Sequence, residues 1–337
     1  MIICNDKELM RRFDGTEKET TSIEILIVPR VAGRAHQKNV AINIDPQLIK
    51  KVLSKFFTSV QVTEISSIEC LDNLVARKPD LVFSGVKYFT FGANQIWLND
   101  ILDRENIPYI GSGRRALENE HDKSIAKKLV RHAGITTADY FTVRPEEFEA
   151  INFQKLDFPL FVKPLIGGDS RGIDTFSVVH DPASLKIKVK QIFDAHGSNV
   201  LVEKYLSGAE FSVGILEDEV TKTITAMPIE ILAPVNDQGD RVLDYNVKKI
   251  DSEVVVKVAD QNLHNQLARF GTLAFKALGG RSFGRIDIRL CHNSILHFME
   301  ANLMPGLSNG YFFRSCALNL DINYDQMIRL IARNRLI

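Results

Sequence analysis

The stretch GRIDIRLCHNSILHFMEANLMPG, Gly284 to Gly306, holds two short apolar runs separated by a polar turn. In the first run Ile286 and Ile288 alternate with Arg285, Asp287 and Arg289. This period of two puts apolar residues on one face of a strand and charged ones on the other. The second run delivers Glu300 and Asn302, two residues apart and so on one face, then breaks at Pro305-Gly306. Adjacent strands of this kind would bring Asp287, Glu300 and Asn302 together as three oxygen donors. Such a set suits Mg²⁺, which takes a few carboxylates and completes its shell with water and phosphate oxygens. The same alternation would also describe one exposed sheet face, so it decides nothing alone.

Two segments upstream add to it. FPLFVKPLIGGDSRGI, Phe158 to Ile173, reads as a buried strand ending in Lys163-Pro164, followed by a loop with Gly167, Gly168, Ser170 and Gly172. Glycines let backbone amides converge on an anion, and a lysine on the adjoining strand adds a point charge, an arrangement suited to a triphosphate. The loop lacks the GK[ST] helix opening of a Walker loop and the spacing of a dinucleotide fingerprint; an ordinary glycine-rich hairpin reads the same way. In NVLVEKYLSGAEFSVGIL, Asn199 to Leu216, Glu203 and Lys204 close one strand and Glu210 opens the next across Ser207-Gly208. A strand edge offers donors and acceptors to a purine, and a carboxylate suits ribose hydroxyls. The plainer alternative is a solvated hairpin.

The chain's 337 residues leave room for two or three compact units. Apolar residues make up 45% and charged residues 25%, the composition of a soluble globular protein. Net charge is zero, 42 basic against 42 acidic residues, with no lysine- or arginine-rich block, so a sequence-independent grip on nucleic acid is not expected. Cys4, Cys70, Cys291 and Cys316 lack the spacing of a zinc site or a disulfide framework and read as isolated thiols. The N-terminus has no signal-peptide core and no run reaches the length of a membrane span, so a cytoplasmic protein with no membrane partner is expected. The eight histidines are scattered, and no serine–histidine or cysteine–histidine pair stands out.

Residues 1–21 read as a charged, threonine-rich arm. Strands are expected at Ile23–Val28, Gln61–Ile65 and Leu81–Phe83, with a helix over Gln47–Phe56 and another carrying Ile96, Trp97, Ile101 and Leu102 on one face. Strand–helix alternation favours a parallel sheet, which makes residues 22–115 one α/β domain. DKSIAKKLVRHAGI, from Asp122, reads as a helix closed by Gly134. Beyond it come many strands, one long helix over His264–Leu278 and a terminal helix from Asp325. This second part reads as α+β with antiparallel sheet predominant.

Together, DKSIAKKLVRHAGI, FPLFVKPLIGGDSRGI, EKYLSGAEFSVGIL, GRIDIRL and MEANLMPG resemble the ATP-grasp superfamily in order and content, and within it the D-alanine–D-alanine ligase branch. The similarity extends back through ENIPYIGSG and covers roughly residues 80 to 310. It implies an ATP-grasp fold: a Rossmann-like N-terminal domain (22–115) and two lobes, 116–198 and 199–337, clamping ATP between antiparallel sheets. By motif, Lys123 and Lys163 would contact phosphates and base, with Gly168 in the loop beside them. Glu203, Lys204 and Leu206 would hold adenine, Glu210 the ribose, and Lys248 would reach the γ-phosphate. Asp287, Glu300 and Asn302 would bind two Mg²⁺ ions, and Mn²⁺ would satisfy the same donors. Arg285 and the Gly306 backbone would stabilise an oxyanion, and Ser170 joins them as a catalytic candidate. This resemblance also makes a homodimer an option, since the N-terminal domain of relatives often pairs.

The substrate end departs from the branch. FSGVKYFTFG stands where a His-Gly segment is usual, and PRVAGRAHQKNVAIN carries no carboxylate where the branch has a glutamate. Asp169 replaces a serine, Lys249 a tyrosine, and Tyr311-Phe312 the serine-leucine pair that receives the second substrate's carboxylate; Arg314 is a candidate to take that carboxylate over. The expectation is an intact ATP and Mg²⁺ machine with a rebuilt acceptor pocket. It would be an ADP-forming ligase joining a carboxylate to an amine through an acyl phosphate. D-Alanine–D-alanine ligation and a catalytically silent ATP-binding regulator are the alternatives; neither substrate is named by the sequence.

Overall fold

The computed structural model describes residues 18–29, 42, 44–91, 94–150, 156–168, 171–234, 253–291 and 294–336. At the N-terminal end β1 (Glu19–Ile27) runs parallel between β2 (Phe57–Glu64) and β3 (Leu81–Ser84), with Ile25 facing Val62 on one side and Phe83 on the other. The strand starts earlier than the alternation suggests: Glu19 N–H donates to Phe56 O at 2.9 Å, so the end of the expected arm is ladder. Helix α1 (Pro46–Leu53) starts where the Asp45 carboxylate accepts from the N–H of Gln47 and Leu48 and Pro46 pre-sets the first turn. Helix α2 (Ile68–Arg77) joins β2 to β3. One expected helix is shorter than its pattern. Ile96 and Trp97 belong to β5 (Asn94–Trp97), an antiparallel partner of β4 (Tyr88–Phe91), and only Leu98–Arg104 is helix α3. Tyr88 and Trp97 face each other across that pair at 5.3 Å, a cross-strand aromatic contact that outweighs helix period.

After helices α4 (Arg114–His121) and α5 (Lys123–His132) comes a four-stranded antiparallel sheet. Its order is β6 (Tyr140–Val143), β9 (Val200–Lys204), β7 (Leu160–Pro164) and β8 (Val178–Val179). Val200–Lys204, assigned from sequence to the following lobe, hydrogen-bonds within this sheet. Helix α6 (Pro182–His196) covers the sheet with Leu185, Val189 and Ile192. It begins at an Asp181 capping box and stops where Gly197 takes φ +57°.

The third sheet has five antiparallel strands in the order β12 (Val254–Lys257), β11 (Ile224–Leu232), β10 (Gly208–Glu217), β13 (Phe283–Cys291) and β14 (Leu296–Asn302). Helix α7 (Gln261–Ala277) lies on the apolar face: a Cβ on Gly271 would come within 2.9 Å of Val213. Helix α8 (Tyr311–Leu320) lies on the opposite face, where a Cβ on Gly214 would meet Ser315 Cβ at 2.7 Å. The charged residues of GRIDIRL share that second face. Helix α9 (Tyr324–Arg333) is the last element of the described residues. The buried Ser112 hydroxyl donates to Leu303 O at 3.0 Å, tying the segment before α4 to the exit of β14.

Candidate active site

Pairing across β10, β13 and β14 sets out the acidic side of the site. Ser212 stands opposite Asp287, Asp287 opposite Glu300, and Arg285 opposite Asn302. A bulge after the Asp287–Glu300 pair brings Phe298 opposite Ile288, leaving Met299 as the extra residue just before Glu300. The alternation in GRIDIRL thus becomes a row of polar side chains over three strands. Asp287 is 6% exposed; it accepts from Arg285 Nε at 2.9 Å, Arg285 Nη2 at 2.8 Å and Ser212 Oγ at 2.7 Å. Burial works against the Arg285 cation, but Asp287 and Glu300 hold its pKa above the ordinary arginine value. Two residues further along the same strand face, Arg289 donates to Glu210 Oε2 at 2.6 Å and to Gly208 O at 3.2 Å.

The basic side comes from α5 and the four-stranded sheet. Lys163 at the end of β7 reaches Glu203 Oε1 at 2.7 Å, and Lys127 on α5 reaches Glu203 Oε2 at 2.6 Å. Lys123 donates to Gly167 O at 2.6 Å, fastening the helix to the glycine loop. Burial alone would raise the Glu203 carboxyl; the two lysines reverse that and bring it down to about 2. Burial pushes the Lys123 ammonium down to about 8 against the pull of Glu300. Lys163 is as buried, yet Glu203, Glu300 and Glu210 outweigh desolvation and raise it. Glu300 and Glu210 lie on the other sheet, so the charges of the two sheets act on each other. A short ladder holds them there: Phe298 N–H donates to Thr136 O at 2.8 Å and Thr137 Oγ1 donates to Phe298 O at 2.7 Å.

The other candidates fall as follows. Lys204 turns its ammonium to Asp157 O and Phe158 O at 2.9 and 3.1 Å, which makes it a clamp on the chain entering β7. Leu206 is half-buried in the connection from β9 to β10, while Gly168 and Gly306 are exposed. Tyr311 is buried, donates its hydroxyl to Glu253 Oε1 at 2.5 Å, and has the Arg285 guanidinium 5.3 Å above its ring. Arg314 is half-buried in the first turn of α8. Asp169, Ser170, Lys248, Lys249 and residues 30–41 and 43 of the loop PRVAGRAHQKNVAIN lie outside the described residues. Sequence reasoning missed Lys127, Thr137, Ser212 and Glu253. Only Lys127 carried a trace of a signal, one helical turn after Lys123.

Among the described residues no three His, Cys, Asp or Glu side chains cluster as a metal group. Asp287 and Glu300 in cross-strand register, with the Asn302 amide beside Arg285, supply two carboxylates and a neutral oxygen. That hard-oxygen donor set fits Mg²⁺ shared with phosphate oxygens.

Residues 129–333 match the family described as D-ala D-ala ligase C-terminus. The chain belongs to that family. Among curated relatives, the D-alanine–D-alanine ligase A of Bacillus cereus is 25% identical over 308 residues, 90% of this chain and 96% of the relative. The D-alanine–D-alanine ligase of Dechloromonas aromatica is 30% identical over 231 residues, 68% and 73% of the two chains. The crystal structure of the Bacillus anthracis D-alanine–D-alanine ligase complexed with ATP superposes with TM-score 0.68 at 20% identity, covering 94% of this chain and 98% of that one. The VanG D-Ala:D-Ser ligase of Enterococcus faecalis gives 0.67 at 19% identity, covering 94% and 100%. These likenesses establish the ATP-grasp architecture expected from the motifs.

Proposed function

We propose that the cleft between the lysine cluster and the acidic strand row binds ATP with Mg²⁺, and that an organic acid is activated there for attack by an amine. The protein is an ATP-dependent, ADP-forming carboxylate–amine ligase. One observation carries the residue-level reading: the hydrogen bonds of Thr136 and Thr137 to Phe298 tie the lysine-bearing side to the strand that delivers Glu300, which supports cations suited to phosphates facing carboxylates suited to the metal.

A carboxylate is a poor electrophile. Transfer of the γ-phosphoryl group to one of its oxygens gives an acyl phosphate and ADP; the amine then attacks the carbonyl carbon and phosphate leaves. Mg²⁺ held by Asp287, Glu300 and Asn302 would neutralise phosphate charge. Lys163 and Lys123 would hold the phosphates, Glu203, Lys204 and Leu206 the base, and Glu210, fixed by Arg289, the ribose. Arg285, oriented by Asp287, would receive the oxyanion of the tetrahedral intermediate, with the Gly306 N–H as the second donor. Ser170, Gly168 and Lys248 keep the loop and γ-phosphate roles the motifs imply.

Tyr311, which the motif resemblance sets against the branch's serine, supports a rebuilt acceptor pocket, because its phenol is buried and bonded to Glu253. Asp169, Lys249 and Arg314 remain its further candidate members. The D-alanine–D-alanine reading keeps the support of the relatives' names. Incubating the protein with ATP, Mg²⁺ and a panel of amino acids, singly and in pairs, separates the two. Phosphate release with D-alanine alone favours dipeptide synthesis; release only with other pairs favours a different acceptor; silence throughout counts against ligation. We place the lobe boundaries near residues 19, 116 and 205, following sheet membership. Among the described residues no helix is long and apolar enough to cross a membrane, and a cytoplasmic site of action is proposed.

A further inference from the structure

Lys127 is wholly buried, and the assignments above give it no contact with substrate. Besides Glu203 at 2.6 Å, its ammonium donates to Thr137 Oγ1 at 2.7 Å, and it lies 5.6 Å from the centre of the Tyr140 ring. Burial pushes this ammonium down and Glu203 pulls it back. Removing a lysine from water is costly, and one carboxylate needs only one cation to balance it. Glu203 has two, Lys127 on one oxygen and Lys163 on the other.

The excess is informative. With Lys163 alone, Glu203 would form a neutral pair, and the carboxylate 2.7 Å away would cancel most of the attraction Lys163 exerts on an anion. With Lys127 behind it, the trio carries two positive charges against one negative, and the net charge sits on the lysine at the cleft. Thr137 extends the support, since it accepts from Lys127 and donates to Phe298 O two residues before Glu300.

We infer that Lys127 is a positioning residue for nucleotide binding: it balances Glu203 from behind, so that the charge of Lys163 stays available to the phosphates. This rests on the nucleotide reading of the cleft and adds to it a residue that touches neither phosphate nor base.

The test is calorimetric titration of the full chain with adenosine and with ADP and Mg²⁺, each variant being checked by circular dichroism. In Lys127→Met the ADP affinity should fall by about tenfold or more while adenosine binding changes by less than about twofold, because only the charged ligand senses the lost balance. Lys127→Arg should recover most of the ADP affinity. Lys127→Met combined with Glu203→Gln removes one charge of each sign, so its ratio of ADP to adenosine affinity should return towards that of the wild type. That double variant keeps the net charge of the wild-type trio and carries the test if the single one does not fold. An unchanged ratio in Lys127→Met, equal loss of both ligands, or a double variant as poor as the single one would overturn the inference. A wild-type protein that binds neither ligand would overturn the nucleotide reading, and this inference with it.

Discussion

Arg285 and Asp287, two residues apart on one strand face, form a two-pronged ion pair: Nε lies 2.9 Å from one carboxylate oxygen and Nη2 2.8 Å from the other. Fork-to-fork pairing fixes the plane of the guanidinium as well as its position. A lysine keeps the charge but cannot keep that plane. Arg285→Lys is therefore expected to lower turnover by about 10²–10³, the usual cost of losing one oxyanion donor. Phosphate-release kinetics measure it; turnover within about threefold of wild type would remove Arg285 from that role.

Glu300 stands opposite Asp287 in the ladder and adds the second carboxylate of the donor set. Glu300→Gln keeps the shape and removes one negative charge. The Mg²⁺ concentration for half-maximal ADP formation should rise by about tenfold or more, and chelator should abolish activity in both proteins. An unaltered Mg²⁺ requirement would exclude Glu300 as a ligand.

Burial brings Lys123 down to about 8, against 10.5 for an ordinary lysine. Above pH 8 the unliganded site loses a positive charge, so the KM for ATP should climb with pH from about 8 upward, and Lys123→Arg should flatten that rise. For stability, between pH 8 and 10.5 the unfolded chain holds a proton that the folded chain has released, and this group's contribution rises with pH. Glu203 acts in the acid range: held at about 2, it stabilises the fold above 4.5, and that stabilisation is lost as pH falls towards 2. Melting temperatures across both windows check the two signs.

Tyr311 joins Arg285 to Glu253. Glu253 Oε2 has no hydrogen-bond partner among the described residues, so Tyr311→Phe would leave both oxygens of a buried carboxylate wanting donors, at about 1–3 kcal/mol. In a rebuilt acceptor pocket the same variant should change the preference among amines while the KM for ATP stays put. A shift in the ATP constant with amine preference unchanged would move Tyr311 to the nucleotide side.

Gly208 opens β10 at φ +143°, and a Cβ there would lie 2.1 Å from the carbonyl oxygen of Leu290 on the neighbouring strand. The same residue's carbonyl accepts from Arg289, the partner of Glu210. Gly208→Ala must push β10 from β13, costing about 1–3 kcal/mol or more. A thermal melt should drop by several degrees; an unchanged melt would mean the strands separate more easily than the close approach implies.

What the sequence determined by itself was local. GRIDIRL and LHFMEAN announce strands because side-chain direction follows a period of two, and that period also places Glu300 and Asn302 on one face of their strand and Asp287 on the charged face of its own. Helix α6 escaped the same logic, since Lys186-Ile187-Lys188-Val189-Lys190 alternates as a strand does. It is a helix because Asp181 caps it and because Leu185, Val189 and Ile192 reach the four-stranded sheet. Only the tertiary structure decided that Lys127 and Lys163 meet at Glu203 and that Tyr311 closes on Glu253. Those contacts join residues distant along the chain. Their geometry depends on how helices and sheets pack, and no periodicity in the sequence encodes it.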